Sequence, residues 1–343
     1  MNKISRRSFI PLLGTAVAGA STLSFSITKE LSDQEILFPS SLKKGDTIGV
    51  CAPAGGIKSN AEIADFKKVL NDLGYSVVFS KNIDKNTGYF SGTDQERAED
   101  FMDLIQLENV KAIFFIRGGW GCARILEHLD FQLIRMNPKI IMGFSDPTAL
   151  LNAISVKTGL ITFHGPGGNS TWNDYSLNYI NQLLVEGKVV NYHNQKSDLP
   201  IVTYQKGTVQ GELFGGNLSV LSTMIGSDYL PDWKGKILFL EDVAEEPYRI
   251  DRMLTHLKLS GVFDQLAGLI LGTFRKCIAE EPNYSFTLEE VFEQHFKDAK
   301  FPVFYGAQIG HTMNKFTIPI GAKVEMNADE GTFRLLECVV EKG

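Results

Sequence analysis

The sequence predicts an α/β protein: an N-terminal domain built on a doubly wound, mostly parallel sheet, followed by a β-rich mixed C-terminal domain. Three observations carry this. Short apolar runs of β type alternate with helical patterns through the first half of the chain, the signature of βαβ units. The 343 residues are 43% hydrophobic and 22% charged, which is ample apolar material for two domains. A polar stretch of weak periodicity at 191–206 separates the two halves, and strand-like runs dominate beyond it.

The elements follow in order. Lys44-Gly45-Asp46 introduces a strand at 47–52, which runs into the turn Pro53-Ala54-Gly55-Gly56, and a helical pattern occupies 61–73. A strand at 75–80, a helix at 94–107, a strand at 112–116, a helix at 123–129 and a strand at 139–142 continue the alternation. A helix at 148–156 and a strand at 160–163 complete the first domain, assigned to 40–190. Residues 191–206 read as the interdomain linker. The second domain, 207–343, shows strands at 207–213, 236–240, 269–274 and 333–340, with helices at 248–259 and 288–296.

The first 28 residues read separately. Ser5-Arg6-Arg7-Ser8-Phe9-Ile10 leads into an uncharged, mostly apolar stretch to Ser26, the pattern of a twin-arginine export signal, and the expected location is the periplasm. The stretch is interrupted by Pro11, Gly14 and Gly19, and a membrane span needs about 20 predominantly apolar residues, so a lasting anchor is the weaker reading. Ala16-Val17-Ala18 and Ala18-Gly19-Ala20 both fit a small-residue cleavage site. A net charge of −6 without a long basic run argues against a nucleic-acid partner. Cys51, Cys122, Cys277 and Cys338 lack C-x-x-C spacing, which removes zinc-knuckle and thioredoxin-like readings.

Two local patterns suggest chemistry. The run at 139–142 supplies a buried strand, Gly143-Phe144-Ser145 turns sharply, and Asp146-Pro147 reads as a helix N-cap with proline at the first helical position. Such an elbow lifts Ser145 above the carboxyl edge of the sheet, where backbone N–H groups at a helix start can hold an oxyanion. Pro147 breaks the G-x-S-x-G signature, and from this segment alone Ser145 and Asp146 are equally readable as helix caps. Arg117-Gly118-Gly119-Trp120-Gly121 follows the strand ending at Ile116, and its glycines let the backbone approach a ligand. It matches neither G-x-G-x-x-G nor the P-loop, so nucleotide binding is a weak alternative.

From residue 42 onward a series of motifs resembles the LD-carboxypeptidase family, whose relatives include microcin-immunity peptidases. They are, in order, L-K-x-G-D at 42–46, A-P-A-G at 52–55, R-G-G-W-G at 117–121, G-F-S-D at 143–146 and F-H-G-P at 163–166. G-G-N-L at 215–218, L-E-D at 240–242, Y-R-I-D-R at 248–252 and G-H at 310–311 follow. The resemblance implies a nucleophilic serine in G-F-S-D, a glutamate in L-E-D and a histidine in G-H, which are Ser145, Glu241 and His311 here. Serine, imidazole and carboxylate form a coherent set, in which the carboxylate fixes the tautomer of the base. Backbone N–H groups of Gly119 and Asp146 are the expected oxyanion donors, and Trp120, His164 and Asn217 are expected to line the substrate. His164 is also the reserve candidate for the base.

The same resemblance implies hydrolysis of the L,D bond that releases terminal D-alanine from murein tetrapeptides, through an acyl-enzyme and with no metal or organic cofactor. One alternative is a microcin-immunity-like peptidase acting on peptidyl or aminoacyl conjugates of nucleotides, for which Trp120 and Trp172 would offer aromatic platforms. Another is a catalytically silent periplasmic murein-peptide-binding protein. Family members that recycle murein work in the cytoplasm, so an export signal is a departure. A homodimer is left open. S-x-x-K at 40–43 and 41–44 and K-T-G at 157–159 mimic penicillin-binding enzymes, but the first precedes a Gly-Asp turn and the second ends a helix at Gly159. Metal-peptidase chemistry has no H-E-x-x-H to support it.

Overall fold

The protein is described by a computed structural model covering residues 35–195 and 199–342. The twin-arginine segment expected at 1–28 lies outside the described residues. Two sheets organise residues 35 onward. The first contains β1 (Thr47–Cys51), β2 (Ser76–Phe79), β3 (Val110–Phe115), β4 (Ile140–Gly143) and β5 (Thr162–His164), all parallel, in the order β2-β1-β3-β4-β5. This order reverses between β1 and β3, and the crevice beyond the carboxyl ends of strands at such a switch is where open α/β sheets bind ligands. The strands are near-continuous apolar runs because both faces are covered.

Helices α1 (Asn60–Asp72), α2 (Asp94–Gln106), α3 (Phe131–Met136) and α4 (Thr148–Thr158) supply the crossovers. Thr93 and Glu96 form a capping box that starts α2, and Gly159 at φ 74° ends α4 as expected of a C-cap. The helix expected at 123–129 is a 3₁₀ turn, Cys122–His128, entered through Gly121 at φ 125°. Asp146 does not cap α4. Its side chain instead accepts the N–H of Cys122 at 2.7 Å, and Pro147 already has helical backbone, so the helix starts through backbone bonds to Ser145 and Asp146.

The second sheet has eight strands. They are β6 (Asn191–Tyr192), β7 (Val202–Gln205), β8 (Thr208–Asn217), β9 (Ile237–Val243), β10 (Gly268–Arg275), β11 (Val303–Tyr305), β13 (Lys323–Asn327) and β14 (Thr332–Leu335). Their order is β6-β14-β13-β8-β9-β10-β11-β7, with a parallel centre from β8 to β11 and antiparallel flanks. The stretch read as a linker therefore carries β6 and β7, which close opposite edges of this sheet. The remaining strand, β12 (Ile318–Ile320), returns to the first sheet and pairs antiparallel with β5, Ile318 opposite His164. Helices α5 (Asp174–Ile180), α6 (Leu218–Met224), α7 (Pro247–Leu259) and α8 (Leu288–Phe296) complete the chain. Among the described residues no helix is long and apolar enough to cross a membrane.

Candidate active site

The strand β4 ends at Gly143, where a side chain would collide with the Phe115 ring, and Phe144 and Ser145 then turn toward α4. Ser145 sits at φ 68°, a left-handed conformation that costs a non-glycine residue on the order of 1–3 kcal/mol. The strain holds the hydroxyl at the carboxyl edge of the sheet. Opposite it runs the loop after β3: a Cβ placed on Gly118 would lie 3.1 Å from Ser145 Oγ, so a larger residue there would crowd the serine. Gly119, at φ 120°, packs its Cα against Gly55, and the Gly55 N–H donates to the Gly118 carbonyl at 3.1 Å. Among the described residues, the N–H groups of Gly119 and Asp146 are engaged by no acceptor. They are available to an oxyanion.

This loop is braced from beneath. The Arg97 guanidinium, buried on α2, donates to the carbonyls of Pro53 and Gly121 and pairs with Asp94, while Phe90 stacks on it at 4.6 Å. Sequence reading passed over Arg97 because a helical arginine is ordinarily a surface residue. Its signal was its setting, at helical spacing from Phe101 and Leu104 on the buried face of α2.

From the second sheet, Glu241 near the end of β9 and His311 in the loop after β11 come together, Oε2 to Nδ1 at 2.7 Å. Gly310 makes this possible: at φ 106°, a Cβ there would fall 2.7 Å from both Cβ and Cδ of Glu241. Glu241 is fully buried. Burial pushes its carboxyl up, but the His311 hydrogen bond, the neighbouring imidazoles and the Asn217 amide more than reverse this, leaving it below the ordinary range. Asn217, the N-cap of α6, accepts from Val220 N–H and gives its amide N–H groups to Glu241 (3.3 Å) and Asp242 (3.1 Å). Expected among substrate-lining residues, it is buried and holds the carboxylate in place. Asp242 is pushed up to about 6 by burial and then by the charge of Glu241, and it accepts the Ser219 and Val243 N–H groups.

The two halves of the site meet at Phe144, whose ring lies 4.9 Å from the His311 ring and 6.2 Å from that of His164. Ser145 and His311 themselves are not hydrogen-bonded in this structure. His164, at the end of β5, is buried with Nε2 3.9 Å from Glu241 Oε1, and burial pushes it down to about 4. It therefore stays neutral at physiological pH. Trp120 is 41% exposed at the loop tip, whereas Trp172 packs on Phe66 and Phe114 and donates its indole N–H to Gly167. The arrangement combines a strained serine at a strand end, an imidazole on a buried carboxylate, and backbone N–H groups engaged by no acceptor among the described residues. That is the equipment of acyl transfer.

Among the described residues no cluster of three or more His, Cys, Asp or Glu is arranged to hold a metal ion. A cavity of about 750 Å³ lined by residues including Asn173, Tyr175, His193 and Asn314 contains none of the expected site residues.

Comparison with known proteins converges on one family. Residues 48–165 match the LD-carboxypeptidase N-terminal domain and residues 210–326 the LD-carboxypeptidase C-terminal domain. The chain is 38% identical over 318 residues to a probable murein peptide carboxypeptidase of Bacillus subtilis, covering 89% of this chain and 96% of that protein. It is 31% identical to the microcin C7 self-immunity protein MccF of Escherichia coli, covering 88% and 96%. The solved structure of MccF with glutamyl sulfamoyl guanosine superposes with a TM-score of 0.81 at 28% identity, covering 89% of this chain and all of that one.

Proposed function

The chain belongs to the LD-carboxypeptidase family, and from that premise we propose that it is a serine carboxypeptidase that removes terminal D-alanine from murein tetrapeptides through an acyl-enzyme. The observation that carries the reading is the strained serine at the β4 elbow, next in sequence to Phe144, whose ring packs against an imidazole already held by a buried carboxylate. Glu241 occupies Nδ1 of His311 and thereby directs Nε2 toward the substrate. With a peptide bound, His311 takes the Ser145 proton as Oγ attacks the scissile carbonyl carbon. Catalytic hydrogen bonds absent from a ligand-free site commonly form at this stage. Backbone N–H groups of Gly119 and Asp146 hold the oxyanion, His311 returns the proton to the leaving D-alanine amine, and water then hydrolyses the ester by the same relay.

Supporting this choice of substrate is the likeness to the murein peptide carboxypeptidase. The exposed Trp120 and the likeness to MccF favour a second reading, cleavage of an aminoacyl conjugate of a nucleotide. Mass spectrometry of defined muropeptides decides between them. Loss of D-alanine alone, abolished in Ser145→Ala, is the expected result; turnover that survives Ser145→Ala, or occurs only on the nucleotide conjugate, refutes it. Export by the twin-arginine route is part of the proposal. Replacing Arg6 and Arg7 together with lysine should retain the protein in the cytoplasm, and unchanged export would remove the periplasmic assignment.

A further inference from the structure

A carboxypeptidase must recognise a free C-terminal carboxylate, and the Arg97 guanidinium described above is taken up by Asp94 and two loop carbonyls. Lys315 carries another positive charge. It lies four residues after His311 in a loop fixed at several points: its N–H donates to Ser176 Oγ at 3.3 Å, Phe316 N–H to the Gln308 carbonyl at 2.7 Å, and Asn173 to Asn314 at 2.9 Å. The side chain is 4% exposed, and its Nζ sits over the Phe144 ring, 4.9 Å from the centroid. That is the ring against which His311 packs, and Phe144 immediately precedes Ser145.

Among the described residues Lys315 forms no ion pair and no hydrogen bond through its ammonium. Glu241 acts on it through charge without a hydrogen bond, while its own oxygens accept from His311 and Asn217. A buried ammonium is costly unless an anion meets it. Burial pushes Lys315 down to about 8, Glu241 raises it and Arg275 lowers it, so it remains largely cationic at neutral pH.

We propose that Lys315 is the specificity residue that receives the C-terminal carboxylate of the substrate, an inference that rests on the carboxypeptidase reading. Chemistry fixes the side on which that carboxylate must lie. His311 protonates the leaving amine, so the departing residue sits on the His311 side of Ser145, the side occupied by Phe144 and Lys315. One residue spans about 3.5 Å, so the carboxylate lies close to the reacting carbon and within the field of a cation beside Phe144. Charge-assisted pairing in a buried setting discriminates strongly against a neutral end group.

The test compares a murein tetrapeptide with the same peptide ending in a carboxamide, on wild type and Lys315→Met. Wild type should favour the acid by about 100-fold in kcat/KM, and K315M should lose that factor on the acid, mainly through KM, while changing the amide by less than about threefold. Lys315→Arg should recover part of the preference, which a merely structural lysine would not produce. If wild type cleaves acid and amide equally well, the inference falls whatever the variants do. If wild type discriminates and K315M discriminates equally, it falls too. If wild type cleaves neither peptide, the carboxypeptidase reading is what fails, and the role of Lys315 goes with it.

Discussion

Replacing Gly310 with alanine tests the link between backbone geometry and the catalytic pair. At φ 106° an alanine is strained by about 1–2 kcal/mol before any contact is considered. Its Cβ would lie 2.7 Å from Cβ and Cδ of Glu241, and ordinary contact requires about 3.5 Å, so the carboxylate must retreat by roughly 1 Å. A 2.7 Å bond to His311 lengthened by that amount is no longer a hydrogen bond. Loss of a charged hydrogen bond adds about 1.5–3 kcal/mol, for a total of about 2.5–5 kcal/mol. Gly226 is the control: it has φ 90° and nothing within 4 Å of an added Cβ, so Gly226→Ala should cost only the backbone strain. Urea unfolding at unchanged m-value would measure both. In folded G310A, a base without its orienting carboxylate should lose on the order of 10⁴-fold in kcat. Equal midpoints for the two variants, or G310A turnover within tenfold of wild type, would refute the reasoning.

Other expectations follow from the same site. Ser145→Gly relieves the left-handed strain at φ 68° and should raise stability by about 1 kcal/mol while abolishing hydrolysis; an inactive but destabilised variant would show that the elbow is not strained. His164 is pushed from 6.5 to about 4, so on acidification the unfolded chain takes its proton first and the folded state loses about 3 kcal/mol between pH 6.5 and 4. His164→Gln should flatten that part of the stability profile measured by urea unfolding, and parallel profiles would exclude the burial effect.

The first domain was largely legible in the sequence because its signals are local. Alternating apolar runs and caps such as Thr93 and Gly159 fix parallel strands and helices close to where periodicity puts them. The second sheet was harder. The short strands of the second half of the chain, β6, β7, β11 and β12, have two to four residues each, too few for a period to emerge. β12 also crosses to the first sheet, a pairing set by long-range register that no local pattern encodes.

The candidate site divides along the same line. By themselves, Gly143-Phe144-Ser145 and the glycines at 118–121 determine an elbow and a close-approaching loop, because glycine's steric freedom is a property of the residue. The L-E-D motif pointed to Glu241, but its pairing with His311 was visible only in the tertiary structure, as were the turn of Asp146 toward Cys122, the amide clamp of Asn217 and the unpaired ammonium of Lys315. Each depends on distances between segments some 24 to 171 residues apart along the chain, between Asp146 and Cys122 at one extreme and Lys315 and Phe144 at the other. Charge and hydrogen bonding act over ångströms of space, and sequence separation carries no record of them.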